Sequence, residues 1–580
     1  MSSTFYRVLA VDFDGTLSEG GAAPVPEVLD ALLAARASGL RVVLVTGRIL
    51  GQLEGVWPTV HESFDGVIAE NGAVLVAGEW HHLLADPVDR RLDDALEARG
   101  VPFTRGEVLL AAKVADEPSI VACIRSLELG CQTVANRTEL MVLPAGVSKG
   151  TGLYHALGHL GLSFHNTIAV GDAENDLPLY DRSELAVAVR NAVEPLKERA
   201  DIVLAEPDGS GVATFVSGDV VRGLLKVHSK RWTLRLGVTA EGRPVVLPAS
   251  QTNVLITGST GSGKSYVAGL LTEQLVAASY SVLVIDPEGD HVGLSHELEG
   301  VLLVGGSERL PAPDEVLRLL RHRYASVVVD LSTLSPEKSR TYQTALLTRV
   351  EAHRERTGLP HWVVIDEADR TVGRVTAPLR VLEPGRSGYC LVTWRPEDLA
   401  AEAIATLDAV IALSSPETSE VVVDLAAAIG AAPRDEVARL LRGDAGYGVL
   451  TRRDLPCRAQ RFEVAVRSTT HLRHTHKYAS HPLDLDRGFH FRSGVSERTG
   501  TVARSLADLE DVLSRCDRSV LRHHCPRQDF SRWVGDVLHD WPLATRLAEI
   551  ERTVDEHSPA ASVDKARLEL IGILQEKLSS

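Results

Sequence analysis

Short runs of apolar, often β-branched residues alternate with amphipathic stretches in the N-terminal part of the chain. The strand-like runs are residues 7–11, 42–45, 66–69 and 167–170, and helical patterns such as residues 26–38 separate them. This alternation is typical of a parallel sheet covered by helices on both faces. We therefore predict an α/β domain over residues 1–228.

A second region of the same kind starts near Arg231. Two short runs, residues 234–236 and 245–247, have the spacing of a hairpin, and the α/β alternation then continues to about residue 466. A linker is predicted at residues 467–482, and it contains four histidines: His471, His474, His476 and His481. Residues 483–580 have apolar positions at helical spacing, so the third domain is predicted to be mostly helical.

The composition agrees with a folded multidomain protein. Of the 580 residues, 44% are hydrophobic and 24% are charged. The formal net charge of −17 argues against general affinity for nucleic acid, although one basic surface would not be visible in that sum. The six cysteines form no CxxC pair, which favours a reducing compartment. No secretory leader and no apolar run of about 18 residues is found, so we expect a cytoplasmic protein that makes no contact with a membrane.

Acidic side chains follow the first strand-like run. Residues 8–11 lead into Asp12-Phe13-Asp14-Gly15-Thr16, and the two-residue period of a strand turns Asp12 and Asp14 to the same side. Ligands bind at the carboxyl ends of parallel strands, and paired carboxylates there suit Mg²⁺. Later strand ends and helix starts supply further polar candidates for this edge: Thr46, Lys149, Asp172, Asn175 and Asp176. The combination predicts a phosphoryl-transfer site.

These motifs, together with Glu70-Asn71-Gly72-Ala73, resemble the haloacid dehalogenase superfamily, in particular its Cof-type and sucrose-phosphatase-like phosphatases. The resemblance implies a Rossmann-like domain with an α/β cap at about residues 83–147. It also implies that Asp12 attacks phosphorus and forms an aspartyl-phosphate intermediate. Asp14 would protonate the leaving alcohol and then activate water, while Thr46 and Lys149 would bind the phosphoryl oxygens.

The same resemblance implies a metal site and a substrate class. Asp12, the backbone carbonyl of Asp14 and Asp172 would hold Mg²⁺, with support from Asn175 and Asp176. The substrate would be a small phosphorylated metabolite chosen by the cap. Two charged cap residues, Arg137 and Glu139, precede Lys149 and are candidates to touch the leaving group, but we favour the interpretation that they are ordinary surface charges.

A phosphate-binding loop stands in the second region. It follows an apolar strand, precedes a helix and consists of Gly258, Ser259, Thr260, Gly261, Ser262, Gly263, Lys264 and Ser265. In such a loop the glycines let backbone N–H groups converge on ATP, the lysine reaches the terminal phosphates and the serine binds Mg²⁺. Asp366 and Glu367 end a later apolar strand and are candidates to contact the metal through water and to polarise an attacking water; the alternative for such a pair is a helix N-cap.

This second region resembles the HerA-like and FtsK-like ATPases, which implies a RecA-like domain and a homo-oligomer, in that class a hexamer. Residues 282–290, the hairpin before the phosphate loop and residues 385–396 carry the resemblance. It departs from the family at Trp394, where a glutamine often senses the γ-phosphate. In a ring, an arginine of the neighbouring subunit completes each site. We expect Arg386 in that role because it lies on a turn between Gly385 and Gly388, with Arg395 as second choice.

The third domain gives no comparable motif. Its candidate zinc ligands match no tetrahedral spacing, so we interpret them as structural or interface residues: His490, Cys516, His523, His524 and Cys525. Three functions stay open for the whole chain. It is a bifunctional hydrolase in which a Mg²⁺-dependent phosphatase is fused to an ATPase, a DNA translocase with an accessory phosphatase, or a nucleotide-dependent switch. The net charge weighs against DNA as partner.

Overall fold

The structure is a computed structural model that describes residues 5–374, 385–415, 419–443, 446–469, 488–494, 498–538, 541–555 and 557–579. The chain divides into two compact units. The first consists of Met1–Pro287 and Leu294–Thr469, and the second of Glu288–Gly293 and Thr470–Ser580. The histidines of the predicted linker lie outside the described residues.

The first sheet has eight strands in the described residues. Their order across the sheet is Ile202–Val203, Leu185–Ala188, Thr167–Gly171, Val8–Asp12, Arg41–Val45, Gly66–Ala69, Val74–Ala77 and Trp80–Leu83. The first six run parallel, and the last two are added by antiparallel pairing, each to the strand before it in this order. The central strands are buried along their whole length, as expected where helices cover both faces of a sheet. The helices of this region are Pro26–Ala37, Leu50–Val56, Val60–Ser63, Lys149–Leu160, Leu177–Tyr180, Glu194–Arg199 and Asp208–Val216.

A separate four-stranded antiparallel sheet lies in the segment predicted as the cap. Its order is Thr104–Arg105, Leu110–Lys113, Glu139–Pro144 and Cys131–Asn136. The helices Arg91–Glu97 and Glu117–Ser126 pack against it around a small apolar core of their own. The cap therefore has its own hydrophobic core, and the chain connects it to the main domain at both ends of the cap segment.

The second large sheet has eleven described strands. Their order is Pro244–Pro248, Thr233–Val238, Ala459–Val464, Tyr447–Arg452, Ala409–Leu413, Val254–Thr257, Tyr389–Thr393, Trp362–Ile365, Val282–Asp286, Ser326–Asp330 and Val301–Gly305. The seven strands from Ala409–Leu413 to Val301–Gly305 are parallel, and the predicted hairpin forms two strands at one end. The helices are Lys264–Ala277, Gly293–Glu297, Pro313–Leu320, Pro336–Thr357, Ala401–Ala405, Glu420–Gly430 and Arg434–Leu441. The predicted fold class is confirmed for both α/β regions.

The two large sheets meet through their amino-terminal edges. Tyr6, His165 and Glu184 lie one or two residues before strands of the first sheet, and Gln251 and Tyr280 lie just before strands of the second. These residues join the two α/β regions: the Tyr280 hydroxyl donates to Glu184 at 2.7 Å, and the Gln251 amide donates to the Tyr6 hydroxyl at 3.0 Å. The carboxyl-terminal edges, which carry the sequence motifs, consequently face away from the junction.

The junction continues on both sides of that centre. Arg7 donates to the carbonyl oxygen of Arg354 at 3.0 Å, Arg323 donates to that of Tyr154 at 3.1 Å, and Lys226 pairs with Asp408 at 2.9 Å. His165 stacks on the ring of Tyr280, with their centroids 3.4 Å apart. The contact between the two regions is thus polar at its rim and aromatic at its centre.

The second compact unit is mostly helical in its described residues. A two-stranded antiparallel sheet, Phe489–Arg492 with Arg498–Ala503, precedes the helices Leu506–Arg515, Arg518–His524, Asp529–Asp536, Trp541–Glu551 and Ala560–Ser579. Apolar side chains from these elements form one core. Across the described part of the chain, no helix combines the length and apolar character that a membrane span requires. All six cysteines are free.

Candidate active sites

Lys149 and two aspartates form the centre of the first site. Asp12 ends the middle strand of the first sheet, and Lys149 begins the helix Lys149–Leu160, whose N-cap Ser148 accepts the N–H of Thr151. The Lys149 ammonium group donates to Asp12 Oδ1 and Asp176 Oδ1, both at 2.6 Å, and all three side chains are buried. Burial alone would lower the pKa of Lys149, but the two carboxylates outweigh burial and raise it. The lysine is held as a cation in the place predicted for it.

Asp12, Asp172 and Asp176 also fit a divalent cation. One carboxylate oxygen from each lies within 4.8 Å of the others, and all three residues are buried. Burial, together with the charge of Asp176, raises the pKa of Asp172 to about 6, and burial raises the pKa of Asp12 as well. A cluster of buried carboxylate oxygens is the donor set that Mg²⁺ prefers. The Asp14 carboxylate is outside this cluster, and the expected role of the Asp14 backbone carbonyl stays a prediction.

Arg48 is a site residue that the sequence reasoning missed. Its guanidinium group donates two hydrogen bonds to the Asp14 carboxylate, from Nε to Oδ2 at 2.7 Å and from Nη2 to Oδ1 at 2.6 Å. It follows the buried Thr46, whose hydroxyl oxygen accepts the Arg48 N–H at 3.1 Å. Arg48 could have been identified from the sequence, because it comes directly after Thr46-Gly47 at the end of a strand. Both carboxylate oxygens of Asp14 are thus paired with Arg48.

Glu70 connects the main sheet to the cap. It is fully buried, and its carboxylate accepts the backbone N–H groups of Glu107, Val108 and Leu109 at 2.8, 2.8 and 3.0 Å. The neighbouring Asn71 accepts a hydrogen bond from the amide of Asn175 at 3.5 Å. The motif 70–73 therefore touches both the cap and the loop that carries Asn175.

The structure corrects our interpretation of Arg137 and keeps that of Glu139. Arg137 donates to Asp172 Oδ2 at 2.6 Å, so a cap residue reaches the cluster of carboxylates. Glu139 instead pairs with Lys113 at the exposed side of the cap sheet. Arg137 lies in the two-residue turn between the paired residues Asn136 and Glu139, whereas Glu139 already belongs to the strand of the cap sheet.

The predicted phosphate loop, residues 258–265, has three glycines with positive φ angles. Gly258, Gly261 and Gly263 have φ angles of 153°, 80° and 98°, a conformation that favours glycine at all three positions. Lys264 begins the helix Lys264–Ala277 and donates to the carbonyl oxygens of Gly258 at 3.1 Å and Ser259 at 2.9 Å. The lysine thus lies folded over its own loop.

Asp366 and Glu367 stand at the same carboxyl-terminal edge. They follow the strand Trp362–Ile365, which lies two strands away from the strand of the phosphate loop. Asp366 is buried, and its carboxylate accepts the N–H of Glu367 at 2.9 Å. Glu367 has a φ of 48° and pairs with Arg370 at 3.4 Å. The helical turn after them starts at Ala368, so Glu367 occupies its N-cap position without a side-chain cap hydrogen bond.

Arg386, which we expect to complete the site of a neighbouring subunit, does not project outward from its turn. Its guanidinium group pairs with Glu351 at 3.3 Å and with Glu355 at 2.5 Å, and only 13% of its side chain is exposed. It precedes the strand Tyr389–Thr393, so it lies at the edge opposite the phosphate loop of the same chain. Arg395 follows that strand at the phosphate-loop edge, is about half exposed and lies 4.0 Å from the Trp394 ring. The role of a neighbour's arginine stays a prediction, now better placed on Arg395.

The C-terminal histidines make hydrogen bonds with protein groups. His524 is buried; its Nδ1 lies 2.7 Å from Asp529 Oδ2, and its Nε2 accepts the N–H of Arg492 at 2.9 Å. Burial lowers the pKa of His524 and raises that of Cys525. Among the described residues, the cluster of Asp12, Asp172 and Asp176 is the one group of such side chains spaced to share a metal ion.

Two family models match the chain. One, described as haloacid dehalogenase-like hydrolase, covers residues 9–95 and 116–216. The other, described as the central domain of the helicase HerA, covers residues 241–337. Both predicted resemblances are thereby confirmed for these regions, and neither model extends beyond residue 337.

Curated relatives match the N-terminal region almost over their full length. The phosphoglycolate phosphatase of Methanothermobacter thermautotrophicus is 30% identical over 215 residues, which is 36% of this chain and 97% of that protein. The phosphoglycolate phosphatase of Sulfurisphaera tokodaii is 31% identical over 219 residues, 35% of this chain and 90% of that protein. A solved haloacid dehalogenase-like hydrolase from Bacteroides thetaiotaomicron is 20% identical, covers 36% of this chain and 98% of its own, and has a TM-score of 0.32.

Proposed function

Because the chain belongs, through its N-terminal region, to the haloacid dehalogenase-like hydrolases, we propose that it is a Mg²⁺-dependent phosphatase of small phosphorylated metabolites. The observation that carries the proposal is the pairing of buried Lys149 with Asp12 and Asp176, beside Asp172. A cation that is fixed against a strand-end carboxylate positions and neutralises a phosphoryl group next to that carboxylate.

The residues divide the reaction into two displacements. Asp12 attacks phosphorus through a carboxylate oxygen while the bond from phosphorus to the leaving oxygen breaks, and Asp14 gives that oxygen a proton. Water then attacks the aspartyl phosphate, Asp14 takes the proton of the water, and inorganic phosphate leaves. Thr46 donates its hydroxyl hydrogen to a phosphoryl oxygen throughout. Mg²⁺, held by Asp12 and Asp172, would supply further neutralisation of the phosphoryl charge.

Hydrolysis of an aryl phosphate by the full-length chain tests this proposal. We expect turnover with Mg²⁺, none after chelation with EDTA, and a loss of more than about 1000-fold in Asp12→Asn, because the nucleophile is removed. Asp30→Asn is the matched control, since Asp30 is an exposed aspartate on the helix Pro26–Ala37. Turnover by Asp12→Asn at the wild-type rate would refute the proposed nucleophile.

A second candidate activity, ATP binding and hydrolysis, is favoured by the loop at Gly258–Ser265. The loop, Asp366 and Glu367 stand at one edge of the second sheet, and the match to the HerA central domain includes the loop. We expect Lys264→Ala to abolish ATP turnover and to leave aryl phosphate hydrolysis intact, because the two sites occupy different sheets. If Lys264→Ala loses both activities, the sites are coupled and this division is wrong.

The remaining parts of the proposal concern assembly and location. A hexameric ring would let Arg395 of one subunit reach the ATP of the next, and mass measurement with bound ATP tests it. DNA stays an alternative partner of such a ring, which DNA-stimulated ATP hydrolysis would reveal. Free cysteines at all six positions support a cytoplasmic location.

A further inference from the structure

An open cleft lies in the second compact unit, outside both candidate active sites. Its volume is about 540 Å³, within the range of about 300–1,000 Å³ that is typical of small-molecule sites. The strand Phe489–Arg492, the end of the helix Arg518–His524 and the start of the helix Asp529–Asp536 form its walls. These three elements belong to the same compact unit, so one folded part of the chain supplies the described lining.

The described lining of the cleft carries an excess of positive charge. It contains three arginines, Arg492, Arg527 and Arg532, and one carboxylate, that of Asp529. Three positive charges and one negative charge give a net charge of +2 when histidine is neutral. The whole chain has a net charge of −17, so the cleft is opposite in sign to the molecule as a whole. Guanidinium groups collected in one cleft indicate an anionic ligand.

A series of hydrogen bonds holds this lining in place. Asp529 Oδ1 accepts a hydrogen bond from Arg532, and Asp529 Oδ2 lies 2.7 Å from Nδ1 of the buried His524. The Nε2 atom of His524 accepts the backbone N–H of Arg492 at 2.9 Å. One imidazole thus connects the strand to both helices. The side chain of Arg532 is 63% exposed, whereas that of Asp529 is 19% exposed, so the guanidinium group stays accessible while the residue that anchors it is shielded.

The cleft also has an apolar surface. The rings of Phe489 and Trp533 line it, with their centroids 5.8 Å apart, and Val537 continues the apolar part of the lining. Inorganic phosphate alone would contact only the charged part of the cleft. A ligand that joins an anionic group to a flat apolar group would use both parts, because aromatic side chains pack well against flat rings.

We propose that this cleft binds a small organic phosphate that carries a planar ring, as a nucleoside monophosphate does. A phosphate monoester has a charge close to −2 at neutral pH, which matches the net charge of +2 of the lining, whereas a carboxylate carries a single negative charge. Phosphate oxygens accept paired N–H groups from guanidinium groups, and the ring packs against Phe489 and Trp533. The proposal goes beyond both proposed activities and depends on neither of them.

Hydrogen exchange of the full-length chain locates the bound ligand. The probes are AMP, adenosine and ribose 5-phosphate, in EDTA so that no Mg²⁺-dependent hydrolysis consumes them. At an AMP concentration of about ten times its Kd, amides of residues 489–492 and 523–533 that exchange when the cleft opens should slow by about 10-fold. Adenosine lacks the phosphate and should give no protection. Ribose 5-phosphate lacks the base and should require an at least about 5-fold higher concentration for the same protection.

Substitution of Arg532 tests the charged part of the cleft. We expect Arg532→Ala to raise the AMP concentration needed for half-maximal protection by about 10- to 100-fold, the effect of losing hydrogen bonds between charged groups. Arg532→Lys should retain part of the affinity. Arg515→Ala is the matched control and should change the affinity less than about 2-fold. Arg515 is 68% exposed, pairs with Asp511 of its own helix as Arg532 pairs with Asp529, and is not part of the lining.

Three results would overturn the proposal. The first is equal protection by adenosine and AMP, or an unchanged affinity for AMP in Arg532→Ala, because either would show that the arginines do not bind the phosphate. The second is protection of the same amides by a single-stranded oligonucleotide at an about 10-fold lower nucleotide concentration than AMP, which would assign the cleft to nucleic acid. The third is the absence of protection by AMP at about 1 mM.

Discussion

Replacing Glu184 by alanine should weaken the contact between the two α/β regions, so that they unfold in separate transitions. Glu184 precedes a strand of the first sheet, is 1% exposed and accepts hydrogen bonds from the hydroxyl groups of Tyr280 at 2.7 Å and Ser250 at 2.5 Å. Its carboxylate also lies 2.7 Å from Nδ1 of His165, whose Nε2 lies 2.8 Å from the carbonyl oxygen of Ala278. A single buried carboxylate thus connects both regions.

The magnitude follows from these contacts. A hydrogen bond to a charged group contributes about 1.5–3 kcal/mol, and three such contacts end at Glu184. The recovered hydration of the removed carboxylate offsets part of this gain. Each buried donor left without its acceptor costs about 1–3 kcal/mol, and Glu184→Ala leaves three such contacts unmade, so we expect a loss of about 3–5 kcal/mol after this offset. Two of the three partners belong to the second region, so most of the loss falls on the junction.

Urea unfolding of the full-length chain measures the effect. Trp232 reports on the junction, because its ring centroid lies 4.9 Å from that of His165 and its indole donates to Ser183 at 3.0 Å. We expect Glu184→Ala to shift the junction transition to lower urea and to separate the unfolding of the two regions. Glu198→Ala removes an exposed glutamate of the first region and serves as control. A loss below about 1 kcal/mol, with the transitions unchanged, would refute the reasoning.

Two further predictions concern buried glutamates. Burial raises the pKa of Glu551 to about 7, so between about pH 4.5 and 7 the folded C-terminal unit keeps a proton that the unfolded chain loses. The protonated carboxyl contributes at most about 3 kcal/mol to the free energy of unfolding. This contribution is complete below about pH 4.5 and is lost as the pH rises through about 7. In thermal melts between pH 5 and 8, the melting temperature of the C-terminal unit should fall with pH in the wild type and in the exposed control Glu549→Gln. In Glu551→Gln the melting temperature should not show this fall. A wild-type melting temperature that is independent of pH contradicts the prediction. Glu70→Gln should weaken the anchoring of the cap, because an amide has one acceptor oxygen for three N–H groups. Hydrogen exchange at Glu107, Val108 and Leu109 should then accelerate at least about 10-fold, and unchanged exchange would show that Glu70 does not hold the cap.

The positions of Asp12, Asp172 and Lys149 could be predicted because each depends on local sequence. Asp12 and Asp172 end apolar runs, and Lys149 begins a helix with a serine N-cap, so the chain itself places them at one sheet edge. The same holds for the phosphate loop and Asp366. Strand ends are readable wherever an apolar run stops at a polar residue.

The contacts of Arg137 and Arg386 could not be predicted, because they depend on how distant segments pack. Arg137 reaches Asp172 only after the cap hairpin has folded over the main sheet. Arg386 looked like an exposed turn residue, but the helix Pro336–Thr357 brings Glu351 and Glu355 beside it. Helical periodicity predicts which residues share a face of a helix, but it does not predict which strand that face will cover. The junction at Glu184 could not be predicted from the sequence for the same reason.

The two sheets meet through their amino-terminal edges, and this arrangement affects how a small molecule could pass from one candidate site to the other. Glu184 and Tyr280 lie at the contact, and the motif-bearing edges with Asp12 and Lys264 point away from it. In the described residues, aromatic rings and hydrogen-bonded side chains occupy the centre of the junction between the two sites. A molecule released at one motif-bearing edge therefore starts on the side of its sheet that faces away from the other site, and we expect it to travel through bulk solvent to reach that site.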